Sequence, residues 1–359
     1  MRALALTVRS FRNLAEATMA IPPEGVAVIG PNGHGKTNLL EALAYPVLFR
    51  SIRGAPDREI GAFGGPGFHV ELDADGAALA ATWFAPVARK RIVVNGEERG
   101  TIAGAIGHWL AVGFFPADLA LVRGGAAERR RWIDRMLSLA DRVYLEALLR
   151  YRAAVAQRNA ALRSQDVGAA GAFDAALAAH GAVIATRRRA WLARSAERWQ
   201  DELGALGEQA PVMLRYRGDD ALTEPSAWDE RLSASRGRDL ARGQTHIGPH
   251  RDDLLLGLGG HALRHYGSTG QQRSAAIALR LLELETLAEA RGVRPALLVD
   301  DVFAELDHDR QRRLALRLVA RPGQRIVTAP RADEIPRELE LPVWSMHGGE
   351  IRHGAAVAA

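Results

Sequence analysis

The chain contains no cysteine, so disulfides and thiolate metal sites are excluded. Lysine is almost as scarce. Of 47 basic residues only Lys36 and Lys90 are lysines, and arginine carries positive charge everywhere else. No uninterrupted apolar run approaches the about 18 residues that read as a membrane-spanning helix. Met1 to Val8 is too short for the apolar core of a signal peptide and reads as a first strand. A cytoplasmic protein with no membrane partner is expected.

What is present begins with Gly30-Pro31-Asn32-Gly33-His34-Gly35-Lys36-Thr37, which fits the phosphate-binding pattern G-x-x-x-x-G-K-[ST]. The apolar run Gly25 to Ile29 before it reads as a buried strand, and Asn38 to Leu43 after it as a helix. Glycines let the backbone curl until its N–H groups and the helix N-terminus converge on phosphates. Asn32, Gly33, Gly35, Lys36, Thr37 and Asn38 are thus the expected ATP contacts, with Lys36 on the outer phosphates and the Thr37 hydroxyl on Mg²⁺. A lysine kept here, in a chain that otherwise uses arginine, implies that a compact ammonium is required.

At 359 residues one large domain with an inserted second one is the expected organisation. Net charge of +5 and a pI near 10 permit a polyanionic partner. Alternation at Phe68 to Leu72 and Ala80 to Phe84, with turns at Asp75-Gly76 and Asn95-Gly96, predicts hairpins in the first hundred residues. From Ala126 to Ser164 there is no glycine or proline, and Ala172 to Leu206 is interrupted only by Gly181 and Gly204. Two antiparallel helices projecting roughly 55 Å are predicted. Gly218 to Gly243 reads as less regular, and Ala355 to Ala359 as a frayed tail.

A second half-site follows. Ala296-Leu297-Leu298-Val299-Asp300-Asp301 reads as a buried strand delivering Asp300 to Mg²⁺, with Asp301 placed to activate a water. Ser268-Thr269-Gly270-Gln271 opens a helix 32 residues before Asp300. It resembles the signature motif of ABC-type ATPases, in which Ser268, Gly270 and Gln271 would close on ATP held by another subunit; the same Ser is also a good plain N-cap. Phe303 to Asp307 then resembles the loop that crosses the ABC dimer interface. Lys36 and Asp300 are 264 residues apart, more than a transporter ATPase needs, and the surplus is the helical arm. The expected fold is α/β: an ABC-type P-loop ATPase head (mixed sheet plus antiparallel β subdomain) from residues 1–125 and 244–359, with an all-helical arm domain at 126–243.

Taken together, Phe11-Arg12-Asn13, the P-loop with its helix, Pro116 to Leu119, Glu128 to Asp134, Gln157-Arg158-Asn159, Gly248 to Asp253, Gly267 to Arg273 and Asp300 to Asp307 resemble the bacterial RecF family of recombination-repair ATPases. The resemblance implies an SMC-like protein that binds double-stranded or gapped DNA when ATP-bound. It also implies a homodimer formed around two ATP molecules and weak, DNA-stimulated hydrolysis. Roles in DNA replication, recombination and the SOS response follow, with RecR and RecO as partners in loading RecA. Arg12 would lie near the nucleotide.

The chain departs from the wider ABC pattern at four points. The residue after Asp300 is Asp301 instead of Glu, one methylene shorter, so turnover should be weak. No glutamine occurs between Lys36 and Gln157, leaving Asp118 as the stand-in for the Mg²⁺-sensing Gln. The strand Arg325 to Thr328 has no switch histidine, leaving Thr328. Ser51-Ile52-Arg53 stands where relatives often carry Ser-His-Arg; Arg53 is within reach of the phosphates or purely structural.

Arg129-Arg130-Arg131, Arg187 to Arg189, and Arg150 with Arg152 are candidate DNA-phosphate contacts or solvated helix faces. His246, His250 and Asp252 could pass for a metal site, though structural hydrogen bonding fits them better. Two other functions remain open: a nucleotide-gated scaffold acting only through protein partners, and an importer ATPase, which the absent Gln and His and the long insertion disfavour.

Overall fold

A computed structural model describes residues 1–62 and 64–353, so the Ala355–Ala359 tail lies outside the described residues. The chain forms two compact units: Met1–Asp118, Ala205–Gly207 and Glu283–Ala359 in one, Leu119–Gly204 and Glu208–Leu282 in the other.

The first unit holds two six-stranded sheets. One is antiparallel throughout, with Ala3–Arg9 between Ala17–Ala20 and Gly67–Ala74, continuing through Ala77–Phe84 and Arg89–Val94 to Glu97–Glu98. Both hairpins expected from Asp75-Gly76 and Asn95-Gly96 are present; Asn95 and Gly96 have φ of 52° and 81°, the positive values a two-residue turn requires. The other sheet runs Glu350–His353, Val343–His347, Gly25–Ile29, Arg325–Ala329, Ala296–Asp300, Ala111–Phe114, parallel except for its first strand. Continuous burial of Val26, Ala27 and Val28, and of all of Ala296–Asp300, is what strands covered on both faces show. Helix Lys36–Leu48 packs on this sheet, and Phe11, Tyr45 and Phe68 meet edge-to-face at 5.4–6.1 Å. Lys90 is structural here: its ammonium reaches Asp57 at 2.6 Å and the Phe49 carbonyl at 2.7 Å.

The second unit corrects the expected arm. The Gly- and Pro-free stretch is not one helix but two, Ala126–Ala140 and Arg142–Arg163, because Asp141 is extended (φ −135°, ψ 114°). Its carboxylate accepts from the Val143 and Tyr144 amides at 2.8 and 3.3 Å, an N-cap that starts a new helix. Asp174–Ala205 is a 32-residue helix. The longer stretch Val167–Ala205 is long and apolar enough, by length and composition alone, to cross a membrane, while Leu177, Ala178, Ala182, Ile184 and Ala185 within it are buried in the unit. The stretch read as irregular contains the helix Ala227–Arg242. A three-stranded sheet, Val212–Arg217, Asp253–Leu258 and His261–Ala262, completes the unit, so it is not all-helical. Residues 244–282, assigned to the head on sequence, cluster with these helices.

His250 joins this core. Its Nδ1 accepts from the Tyr151 hydroxyl at 2.7 Å while Nε2–H donates to the Thr245 carbonyl at 3.0 Å. Burial, with Arg251, Arg130 and Arg188 nearby, pushes its pKa from 6.5 down to about 4. The folded state thus resists the proton that the unfolded chain takes up below pH 6.5. Stability is full above that pH, falls as the pH drops toward 4 by about 3 kcal/mol, and levels off below. Buried Asp252 shifts upward, also mainly through burial, with the opposite effect. Urea unfolding of wild type and His250→Gln between pH 7.5 and 4 separates the two: the wild-type curve loses stability more steeply with acid than the variant's.

Candidate nucleotide site

The carboxyl ends of three adjacent parallel strands converge, because Val28, Thr328 and Asp300 are in register. Ligand sites form at such strand ends. After Ile29 the chain bends through the P-loop. Gly30 lies so close to the neighbouring strand that a Cβ would sit 2.3 Å from the Met346 carbonyl oxygen, and Gly35, at φ 113°, takes the left-handed turn that starts helix Lys36–Leu48.

Lys36 is buried, 4% exposed, and its ammonium folds into the loop: it donates to Gly30 O at 2.8 Å and to Pro31 O and Asn32 Oδ1 at 3.4 Å. It also lies 3.8 Å from Asp301 Oδ2. The Thr37 hydroxyl donates to Asp300 Oδ1 at 3.0 Å. Thr328, expected from the sequence to stand where other ABC ATPases carry a histidine, reaches Asp300 Oδ1 at 2.8 Å and Asp301 Oδ1 at 3.1 Å, and its Oγ1 accepts from the Asp301 amide at 3.1 Å. One hydroxyl thereby ties both aspartates. Burial, with Asp301 adjacent, pushes the Asp300 carboxyl above the usual carboxylate range against the opposing hydrogen bonds of Thr328 and Thr37. Asp301 has φ 50°, a left-handed value uncommon outside glycine. The Thr37 hydroxyl and the Asp300 carboxylate are hard oxygen donors of the kind Mg²⁺ takes.

A polar cage unseen in the sequence braces the loop. Glu41, fully buried one turn into the helix, receives both arms of Arg12 at 3.0 Å, is hydrogen-bonded by Ser51, and lies 3.6 Å from Arg53. Arg12 also donates to Glu59 O at 2.7 Å. Three of its N–H donors are therefore engaged in the cage. Asn38 donates to Asn13 Oδ1 at 2.6 Å and accepts from Arg53 at 2.7 Å, so Arg53 braces Asn38. The signal available was an acid at the sixth position of a post-P-loop helix that needs a buried counter-ion. Asp118 accepts from the Phe115 amide at 2.9 Å, capping its own turn.

In the second unit, Ser268 and Gln271 form a reciprocal cap at the start of Thr269–Arg291. The Gln271 amide donates to Ser268 Oγ at 3.2 Å and the Ser268 amide to Gln271 Oε1 at 2.9 Å. The plain N-cap reading thus describes this state, with Ser268 exposed and Gly270 half-buried between. Of the three arginines proposed for DNA, Arg129 is corrected: it is buried and paired with both Asp253 oxygens at 2.8 and 3.0 Å, leaving no face for a phosphate. Arg130 is half-buried on the Asp252 carbonyl at 2.7 Å, and Arg131 is exposed beside Glu128. Arg188 is buried on Asp134 at 2.6 Å. His246 pairs with Asp239 at 2.8 Å and His250 with Tyr151, so they and Asp252 form no metal cluster; among the described residues no group of three or more His, Cys, Asp or Glu could hold a metal ion.

No protein-family model matches the chain. It is 35% identical over 360 residues to the DNA replication and repair protein RecF of Moorella thermoacetica, covering 97% of this chain and 94% of that protein. The chain belongs to the RecF family. The RecF protein of Deinococcus deserti is 38% identical over 323 residues, 90% of this chain and 88% of that one. A solved structure of the recombination mediator protein RecF with ATP, in the RecFOR pathway, superposes with a TM-score of 0.87 at 27% identity over 98% of this chain and 97% of that one. An Smc head domain from Pyrococcus furiosus, at TM-score 0.55, 16% identity and coverage of 98% and 95%, shares the fold alone. The fold is thus the SMC-like ABC-type ATPase head expected for RecF, and RecF relatives are DNA replication and repair proteins.

Proposed function

We propose that this RecF protein is an ATP-gated, DNA-binding dimer acting in recombination repair, with weak DNA-stimulated ATPase activity. The observation that supports it most is the single string of contacts from Lys36 through Asp301, Thr328 and Asp300 to Thr37. Two solved RecF neighbours, with ATP in one and ATPrS in the other, support ATP as the ligand.

In this reading Asn32, Gly33, Gly35, Lys36, Thr37 and Asn38 hold the phosphates, and Arg12 acts by bracing Glu41. The Thr37 hydroxyl and the Asp300 carboxylate would hold Mg²⁺, which would supply neutralisation of phosphate charge. Asp301 orients and deprotonates the attacking water. Three features keep turnover slow: Asp301 is a methylene shorter than Glu, sits in a left-handed backbone, and already accepts from Thr328. Ser268, Gly270 and Gln271 complete the site of a second copy, which requires the Ser268 hydroxyl to exchange its cap for a phosphate oxygen. Gapped or double-stranded DNA is the polyanionic partner, and RecR and RecO are the protein partners in loading recombinase; the RecFOR context of the solved relatives supports the latter.

Ser268→Ala should bind ATP as a monomer within about threefold of wild type yet fail to dimerise, since one charge-assisted hydrogen bond per site, two per dimer, is worth roughly 3 kcal/mol or more. Nucleotide titration and gel filtration with ATP and Mg²⁺ read the two properties. Normal dimerisation of Ser268→Ala overturns the trans assignment.

A further inference from the structure

The second unit contains a cavity of about 260 Å³ whose lining includes Arg130, Arg131, Arg152 and Arg188 against one carboxylate, Asp134. Asp134 is already used: it accepts from Arg188 at 2.6 Å, from Arg152 at 2.9 Å and from the Tyr144 hydroxyl. Arg131 has Glu128 outside the cavity. Arg130 makes no ion pair with a carboxylate among the described residues, although Asp253, Asp134 and Asp252 lie near enough to attract its charge; its side-chain hydrogen bond goes to the Asp252 carbonyl at 2.7 Å, leaving most of its donors free. Nearby His250 is held neutral, with its ring nitrogens occupied by Tyr151 and Thr245, so it adds no charge.

The cavity therefore carries an excess of guanidinium charge over one shared carboxylate. Guanidinium forks favour planar, bidentate contact with phosphate. The remaining wall is apolar or aromatic, with Leu148, Ile184 and Tyr151. A small cavity with charged groups on one side and an apolar wall on the other suits a compact ligand with an anionic head.

We propose that this cavity is a binding site for a terminal phosphate carried on a nucleoside-sized group, separate from the P-loop site and with Arg130 as its principal contact. The phosphate comes either from a free mononucleotide or from the end of a nucleic-acid strand. The inference stands on the second unit's own residues and does not depend on ATP binding at Lys36.

The test uses the full-length Lys36→Ala protein, in which the P-loop is disabled, and equilibrium dialysis with thymidine 5′-monophosphate. Binding should be detected, inorganic phosphate should compete and thymidine should not. Arg130→Gln should weaken binding about tenfold or more, the loss expected for one charge-assisted contact, while Arg130→Lys restores part of it. If Arg130→Gln fails to fold by its thermal transition, Arg152→Gln serves instead, since that side chain is 57% exposed. Short single strands with a 5′-phosphate or a 5′-hydroxyl separate the sources. A preference for the phosphorylated strand that depends on Arg130 identifies a strand end, and equal binding of both strands identifies a free mononucleotide. No binding of thymidine monophosphate at millimolar concentration, or binding unchanged in both folded arginine variants, overturns the proposal.

Discussion

Lys36→Ala should lose ATP binding by roughly 100-fold or more, about 2.7 kcal/mol, the scale of a charge-assisted contact to phosphate made in a water-poor loop. The ammonium is already inside the loop, bonded to Gly30, Pro31 and Asn32, so phosphate oxygens need only take over its donors. Lys36→Arg should fail nearly as badly. The planar, forked guanidinium does not reproduce the compact ammonium that those three oxygens surround, which fits a chain that uses arginine elsewhere and keeps lysine here. Titration with a fluorescent ATP analogue reads the loss. Because the bonds lost are to adjacent loop carbonyls, the melting temperature should move little; affinity within threefold of wild type would contradict the assignment.

Arg158→Ala should destabilise the second unit by about 3–5 kcal/mol, the cost of leaving a buried partner uncompensated. Arg158, 1% exposed, donates to Asp174 at 2.8 Å, to Asp239 at 2.7 Å and to Thr245 at 3.0 Å. Asp239, fully buried, also accepts from Ser235 at 3.1 Å and from the His246 ring at 2.8 Å. Neighbouring Asn159 takes the Thr245 amide at 2.7 Å, so the Gln-Arg-Asn motif and the Thr-His segment are two sides of one buried network. Removing the guanidinium strands a carboxylate that water cannot reach. Differential scanning calorimetry should show the unit's transition lowered by roughly 10 °C. A shift under about 2 °C would show that the network is not holding the unit.

The sequence made the nucleotide half-sites legible because both are local patterns: a glycine loop between strand and helix, and four apolar residues ending in two aspartates. Thr328 was placed by its position on a strand, but its double role required knowing that its strand lies between the other two. The Glu41 cage was not legible, since Arg12, Ser51 and Arg53 come from segments up to 41 residues apart, and an acid on a helix reads equally well as solvated. The break at Asp141 was missed because a side-chain cap interrupts a helix without glycine or proline. Arginine runs looked like a phosphate-binding face, yet Arg129 and Arg188 are buried on Asp253 and Asp134; only the tertiary structure shows which members of a run remain available.

The most direct test of the ATP-gated dimer is sedimentation velocity of the protein with and without ATP and Mg²⁺, each with and without a gapped DNA duplex. The account predicts a monomer that becomes a dimer with ATP and co-sediments with DNA only in that form. Dimers that form with ATP but ignore DNA would support a scaffold acting through protein partners, and a protein that stays monomeric with ATP would contradict the account.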